Sequence, residues 1–121
     1  MKVLIVDDEA DIRRIARLGL SRLGGCDVVE ASSGSEALEQ ARRSRPDVIL
    51  LDVMMPGQDG PATLKALRAD PETEAVPVVF LTAKAMPSEV ARLTALGAAG
   101  VLTKPFDPRT LAEQVRARVA A

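Results

Sequence analysis

Hydrophobic positions along this 121-residue chain switch repeatedly between two patterns. Short apolar or β-branched runs occur at Val3–Val6, Val28–Ala31, Val48–Leu51, Val78–Leu81 and Val101–Leu102. Between them, over Ile12–Leu23, Glu36–Arg43, Ala62–Arg68, Glu89–Leu96 and Thr110–Val119, apolar residues recur with helical spacing. The first, third and fourth runs are continuously apolar, as expected for strands covered by helices on both faces. Strand and helix alternating over the whole length predict a three-layer α/β domain with a parallel sheet and right-handed crossovers.

Local punctuation agrees with these boundaries. Ser33-x-x-Glu36 is a capping-box pattern that opens the second helix. Gly60-Pro61 and Asp107-Pro108 suit helix starts with proline in the first turn. Gly24 and Gly97 follow helical stretches, where a left-handed cap is expected. In the first helix, steps of about 100° per residue place Ile15, Ala16, Gly19, Leu20 and Leu23 on one inward stripe, with Ile12 near its edge and Leu18 well outside. Leu18 beside Ile15 reads either as a lone exposed leucine or as part of a docking patch. Arg13, Arg14 and Arg17, and Arg42, Arg43 and Arg45, read mostly as solvated helix faces.

Composition removes several classes of function. Hydrophobic residues make up 47% of the chain, enough for one core. No apolar run approaches the roughly 20 residues of a bilayer span, and Met1-Lys2 leads straight into a strand-like run without a signal-peptide pattern. A cytoplasmic protein is expected. The single Cys26 reads as a small buried hydrophobe in a reducing compartment. With no histidine, Ser-His triads and most zinc sites are ruled out. A net charge of −1 and only two aromatics, Phe80 and Phe106, argue against nucleic-acid binding by this chain alone.

In parallel α/β sheets, ligands bind beyond the carboxyl ends of the strands. Asp7, Asp8 and Glu9 follow the first run, Asp52 the third, Thr82 and Ala83 the fourth, and Lys104 and Pro105 the fifth. Each residue taken alone has an ordinary reading. Asp7 or Asp8 could cap a helix, Asp52 could open an Asx-turn, Thr82 could be a strand-end threonine, and Lys104 could be solvated. Their coincidence at one edge favours chemistry. Two carboxylates about 4 Å apart repel by about 4 kcal/mol at an effective dielectric near 20. Lys104 offsets one charge of the Asp7, Asp8 and Asp52 cluster, and a divalent cation would offset the rest. Mg²⁺ suits such a site, with one or two carboxylates, retained waters and room for phosphate oxygens, whereas Ca²⁺ wants more protein oxygens. With Thr82 and Lys104 it makes a clamp for a phosphoryl group.

These residues sit in four ordered segments: Val6-Asp7-Asp8-Glu9, Leu51-Asp52-Val53-Met54-Met55-Pro56-Gly57-Gln58-Asp59-Gly60, Leu81-Thr82-Ala83-Lys84-Ala85 and Leu102-Thr103-Lys104-Pro105-Phe106. On them the chain resembles the receiver domains of two-component response regulators, over essentially residues 1–121. The resemblance implies a flavodoxin-like fold of five parallel strands in the order 2-1-3-4-5 with five helices, an order that chemotaxis regulators of this family exemplify. It implies Asp52 as phosphoacceptor and Mg²⁺ held by Asp8, by Asp7 mainly through water, by Asp52 and by the Met54 carbonyl. Thr82 and Lys104 would contact the phosphoryl oxygens, and the Lys104–Pro105 bond would be cis. The donor would be a phosphohistidine on a histidine kinase or phosphotransfer protein. Receivers also dock their donors with the first helix, which bears on Leu18.

Two departures from the family pattern bear on signalling. Many receivers carry Tyr or Phe three residues before the lysine, where this chain has Val101, so an aromatic rotamer switch is impossible here. Ala98-Ala99-Gly100 lacks the acidic residues common in regulators that dimerise through this face. The expected function is a phosphorylation-dependent switch that changes the face of the fourth helix and fifth strand and turns over no external metabolite. A small aspartyl-phosphate phosphotransferase would usually place a second acid two residues after its nucleophile, where Met54 stands. A phosphorylation-independent module of receiver shape would typically have lost the acidic pair, the acceptor or the lysine, and all are present. No Gly-x-Gly-x-x-Gly or P-loop pattern supports nucleotide binding. Because the sequence stops after the fifth helix, either a stand-alone receiver or one excised from a larger regulator is expected, with the downstream partner unspecified.

Overall fold

The computed structural model describes residues 1–119. Five strands, β1 (Lys2–Val6), β2 (Asp27–Ala31), β3 (Val48–Asp52), β4 (Val78–Thr82) and β5 (Gly100–Thr103), form one parallel sheet in the order β2-β1-β3-β4-β5. The helices are α1 (Ala10–Arg17), which runs on into a π-helical segment (Leu18–Leu23), then α2 (Gly34–Ser44), α3 (Gly60–Arg68), α4 (Pro87–Ala95) and α5 (Leu111–Val119). β3 and β4 are buried at every position, which is why their sequences show no polar alternation.

The side-chain period of two divides each central strand between two cores. Leu4, Val6, Ile49, Leu51, Val78 and Phe80 point to one side, where they meet Ala37 and Ala41 of α2, Leu64 and Leu67 of α3 and Leu93 of α4. Val3, Ile5, Val48, Leu50, Val79 and Leu81 point to the other, against Ala16, Leu20 and the α5 residues Leu111, Ala112 and Val115. Cys26 lies buried in this second core, as a small hydrophobe should.

Three local expectations need correction. The inward stripe of the first helix holds for Ala16, Gly19 and Leu20, but Ile15 is 42% and Leu23 56% exposed. Ile15 lies at the stripe's edge. The π-helical turns that follow Arg17 advance less per residue than an α-helix and rotate Leu23 off the stripe. Leu18 is exposed, as expected. The left-handed glycine after this helix is Gly25 (φ 70°), not Gly24 (φ −106°), whereas Gly97 (φ 105°) does adopt that region. Helix α2 ends on a left-handed Arg45 (φ 49°), which its sequence does not signal. Pro108 opens a turn rather than a helix, and α5 begins only at Leu111.

The helix starts that matter for the sheet edge are well capped. Ser33 Oγ accepts from the Glu36 amide, and the Glu36 carboxylate accepts from the Ser32 amide, one residue earlier than in a strict capping box. Asp59 caps α3 by accepting from the Ala62 amide, with Pro61 in the first turn.

Candidate functional site

β1, β3, β4 and β5 all end at one edge of the sheet, and the residues just past or at those ends converge there. Asp7, Asp8 and Asp52 each offer a carboxylate oxygen within 4.8 Å of the others. Asp7 is fully buried, Asp52 is 4% exposed, and Asp8 faces solvent. Lys104 reaches in from beyond β5. Its Nζ lies 2.7 Å from Asp7 Oδ2 and 3.2 Å from Asp52 Oδ1, bridging the two buried acids.

Sequence position explains the convergence. Ladder pairing sets Val6 beside Leu51, Asp52 beside Leu81 and Thr82 beside Thr103, so equivalent strand ends lie side by side. The Glu9 amide donates to Asp7 Oδ1 and the Met54 amide to Asp52 Oδ1, fixing both carboxylates in Asx-type turns. The turn reading and the site reading of these residues are thus compatible. The Lys104–Pro105 bond is cis.

Two supports lie outside the strand ends. Arg13 Nη1 donates to the Asp7 carbonyl at 2.8 Å, while its Nε and that of Arg17 pair with the two oxygens of Glu30 on β2. Arg13 is therefore a brace for the acidic loop and not a solvated helix residue. Nothing in the sequence signals this contact. Gly60 is the second support. A Cβ there would lie 2.5 Å from the Asp52 carbonyl oxygen and 2.9 Å from Val53 Cα, so the start of α3 comes this close only because it has no side chain.

Electrostatics at the edge is finely opposed. Burial, and then the Asp7 charge, push the Asp52 carboxyl above its ordinary 3.8, against the pull of Lys104. Burial pulls the Lys104 ammonium down, but its hydrogen bond to Asp7 and the charges of Asp7 and Asp52 together hold it above 10.5. One firmly charged cation thus faces three acids. Hard oxygen donors with surplus negative charge fit a small divalent cation such as Mg²⁺. Asp7, Asp8 and Asp52 could hold it, with Asp8 on the open side.

Thr82, 4% exposed, also stands at this edge. Its hydroxyl oxygen accepts from the Lys84 amide at 3.0 Å, closing a turn within the β4–α4 loop. A cleft of about 200 Å³ opens beside Asp52, lined by Val53, Met54, Thr82, Lys84, Glu89 and Arg92 among others. Met54 is 77% exposed at its rim. Val101 is half-buried against the Phe80 core, and beside it the Arg118 side chain lies across Gly100, where a Cβ would meet its Cγ at 2.0 Å.

Residues 3–116 match the family model of the response regulator receiver domain. The alkaline phosphatase synthesis transcriptional regulatory protein PhoP of Bacillus subtilis is 42% identical over 120 residues, 99% of this chain and 47% of that protein. The DNA-binding response regulator MtrA of Mycobacterium tuberculosis is 39% identical over 118 residues, 98% of this chain and 50% of that protein. The chain spans about half the length of these curated relatives. The Vibrio cholerae chemotaxis protein CheY4 superposes with a TM-score of 0.88 at 38% identity, covering 96% of each chain. Acidic strand ends under one lysine, the strand order 2-1-3-4-5 and a family match over nearly the full length agree, and the chain belongs to the response regulator receiver domains of two-component signalling.

Proposed function

We propose that the chain is a phosphorylation-operated switch whose acceptor is Asp52, within a receiver unit spanning residues 1–121. The observation that carries this reading is Lys104, which bridges Asp7 and Asp52 at the edge where three carboxylates gather. A purely structural edge has no reason to concentrate like charge in this way.

The donor is a phosphohistidine on a histidine kinase or phosphotransfer protein. An Asp52 carboxylate oxygen attacks phosphorus in line as the P–N bond breaks. The bonding pair returns to the imidazole, and Asp52 becomes an acyl phosphate that water later hydrolyses. Raised basicity at Asp52 favours this nucleophile over an ordinary surface carboxylate. Lys104 is placed to exchange its contact with Asp52 for a phosphoryl oxygen while keeping Asp7, a charge-assisted bond that holds the group in line. Thr82 trades its bond from the Lys84 amide for a second phosphoryl oxygen. Asp7, Asp8, Asp52 and the Met54 carbonyl would hold Mg²⁺, which would supply positive charge to offset that of the phosphoryl group.

Movement of Thr82 pulls on the β4–α4 loop and so on α4, whose only buried residue is Leu93. A helix held by so little core shifts easily. With Val101 in place of an aromatic ring, the signal leaves through this loop and helix to a downstream partner or effector. The proposed setting is the cytoplasm; among the described residues no helix is long and apolar enough to cross a membrane.

Intact mass after incubation with acetyl phosphate, with and without Mg²⁺, tests the assignment. One base-labile phosphoryl adduct that needs the divalent ion is expected, and it should vanish in Asp52→Asn. Equal labelling of that variant would remove Asp52 from the reaction.

A further inference from the structure

Away from the acidic edge, α3 and the end of α4 border a groove of about 400 Å³, lined by Pro61, Ala62, Leu64, Lys65, Arg68 and Leu96. Its floor is apolar, and Leu96 at its wall is 47% exposed. Its rim is cationic. Lys65 and Arg68 stand one turn apart on α3, and neither has a carboxylate within 4.0 Å among the described residues. Of the other helical arginines, Arg13 and Arg17 share Glu30, Arg42 pairs with Asp70, Arg43 with Glu39 and Arg92 with Glu89, whereas Arg22, Arg116 and Arg118 make no ion pair among the described residues; what sets Lys65 and Arg68 apart is the apolar trough they flank.

Arg68 is the more telling of the two. It is half-buried, and its one hydrogen bond among the described residues runs from Nη1 to the Val76 carbonyl at 2.7 Å. Burial weakens its hold on the proton, with no neighbouring acid to compensate. A guanidinium has five N–H donors in a fixed fork that matches a carboxylate. Cations without counter-charge beside an apolar trough suit a ligand carrying both an apolar anchor and carboxylates.

We propose that the α3–α4 groove is a docking site for an acidic amphipathic helix of a partner protein. An aliphatic side chain of the partner fills the trough over Leu64 and Leu96, and carboxylates one helical turn away meet Lys65 and Arg68. Carboxylates at i, i+3 or i, i+4 on the partner would span the one-turn separation of Lys65 and Arg68. The surface is distinct from the Asp52 edge, and binding requires no phosphoryl group.

The test is a titration of the isotope-labelled full chain, free of phosphodonor, followed by amide chemical shifts. The probe is a synthetic helix with leucine and glutamate at i and i+4, and the control is the same composition scrambled. Shifts centred on Ala62, Lys65, Arg68 and Leu96 are expected, with the scrambled peptide binding more weakly. Lys65→Glu, at an exposed position, should weaken the probe about three- to tenfold while leaving the spectrum folded. Three results would each overturn the proposal. One is equal response to both peptides, and another is shifts confined to the arginines of α1 and α2, or none at all. The third is movement of the groove amides on simple dilution, which would make the occupant a second copy of this chain.

Discussion

At Asp52, burial and the Asp7 carboxylate oppose ionisation while Lys104 favours it, and the balance lies above the ordinary 3.8. The folded protein therefore holds this proton more tightly than the unfolded chain does. The carboxyl's contribution to stability is full below about 3.8 and is lost as the pH rises through the folded value. Near neutral pH the folded state bears the unfavourable charge. Asp52→Asn should accordingly melt higher than the wild type at about pH 7 in the presence of a chelator, and the gap should narrow as the pH falls towards about 4. A gap that widens on acidification, in paired thermal melts, would show that Lys104 outweighs burial. At this scale the sequence was informative where chemistry sits at strand ends, as with Asp7, Asp52 and Lys104. It was silent on Arg13, because nothing in an amphipathic helix tells which arginine turns back to a carbonyl.

Among elements, the strands were legible and one helix was not. Strands buried on both faces leave continuous apolar runs, so β1, β3 and β4 could be read within a residue or so of their ends. The π-helical segment leaves no such trace, since its wider turn depends on hydrogen bonds that composition does not encode, and Leu23 was misplaced for that reason. Gly60 shows another limit. Gly-Pro marks a helix start, but only the fold reveals the backbone of Asp52 and Val53 packed against it. Gly60→Ala must push α3 off the strand that carries Asp52. Because the nearest atoms are backbone, they cannot swing aside, and a loss of about 1–3 kcal/mol is expected in urea unfolding. A change within about 0.3 kcal/mol would mean that the junction relaxes freely.

For the molecule as a whole, the acidic edge ties metal binding to folding. Repulsion among Asp7, Asp8 and Asp52 exists only when β1 and β3 are paired, so Mg²⁺ should bind the native state alone. At about 100 times its dissociation constant it should add about 2.7 kcal/mol, and Asp8→Ala should lose most of that gain. Melting temperatures that ignore Mg²⁺ in the wild type would count against the site. The same edge also bears on the order in which the sheet can come apart. β5 is an outer strand with a neighbour on one side only, the kind of element that ordinarily frays first. Yet it leads into Lys104, 97 residues from the buried Asp7 that it neutralises. If β5 peeled away alone, Asp7 and Asp52 would lose the cation that bridges them while still held side by side by the β1–β3 pairing, an arrangement that closely set acids tolerate poorly. Lys104 thus makes detachment of β5 an all-or-none event with the centre of the sheet. In native-state hydrogen exchange without metal, the amides of Val101 and Leu102 should open together with those of Leu4 and Ile5. Lys104→Met should set β5 free to exchange ahead of them. If β5 already exchanges first in the wild type, the outer strand is independent; if not, a single lysine couples the periphery of the sheet to its middle.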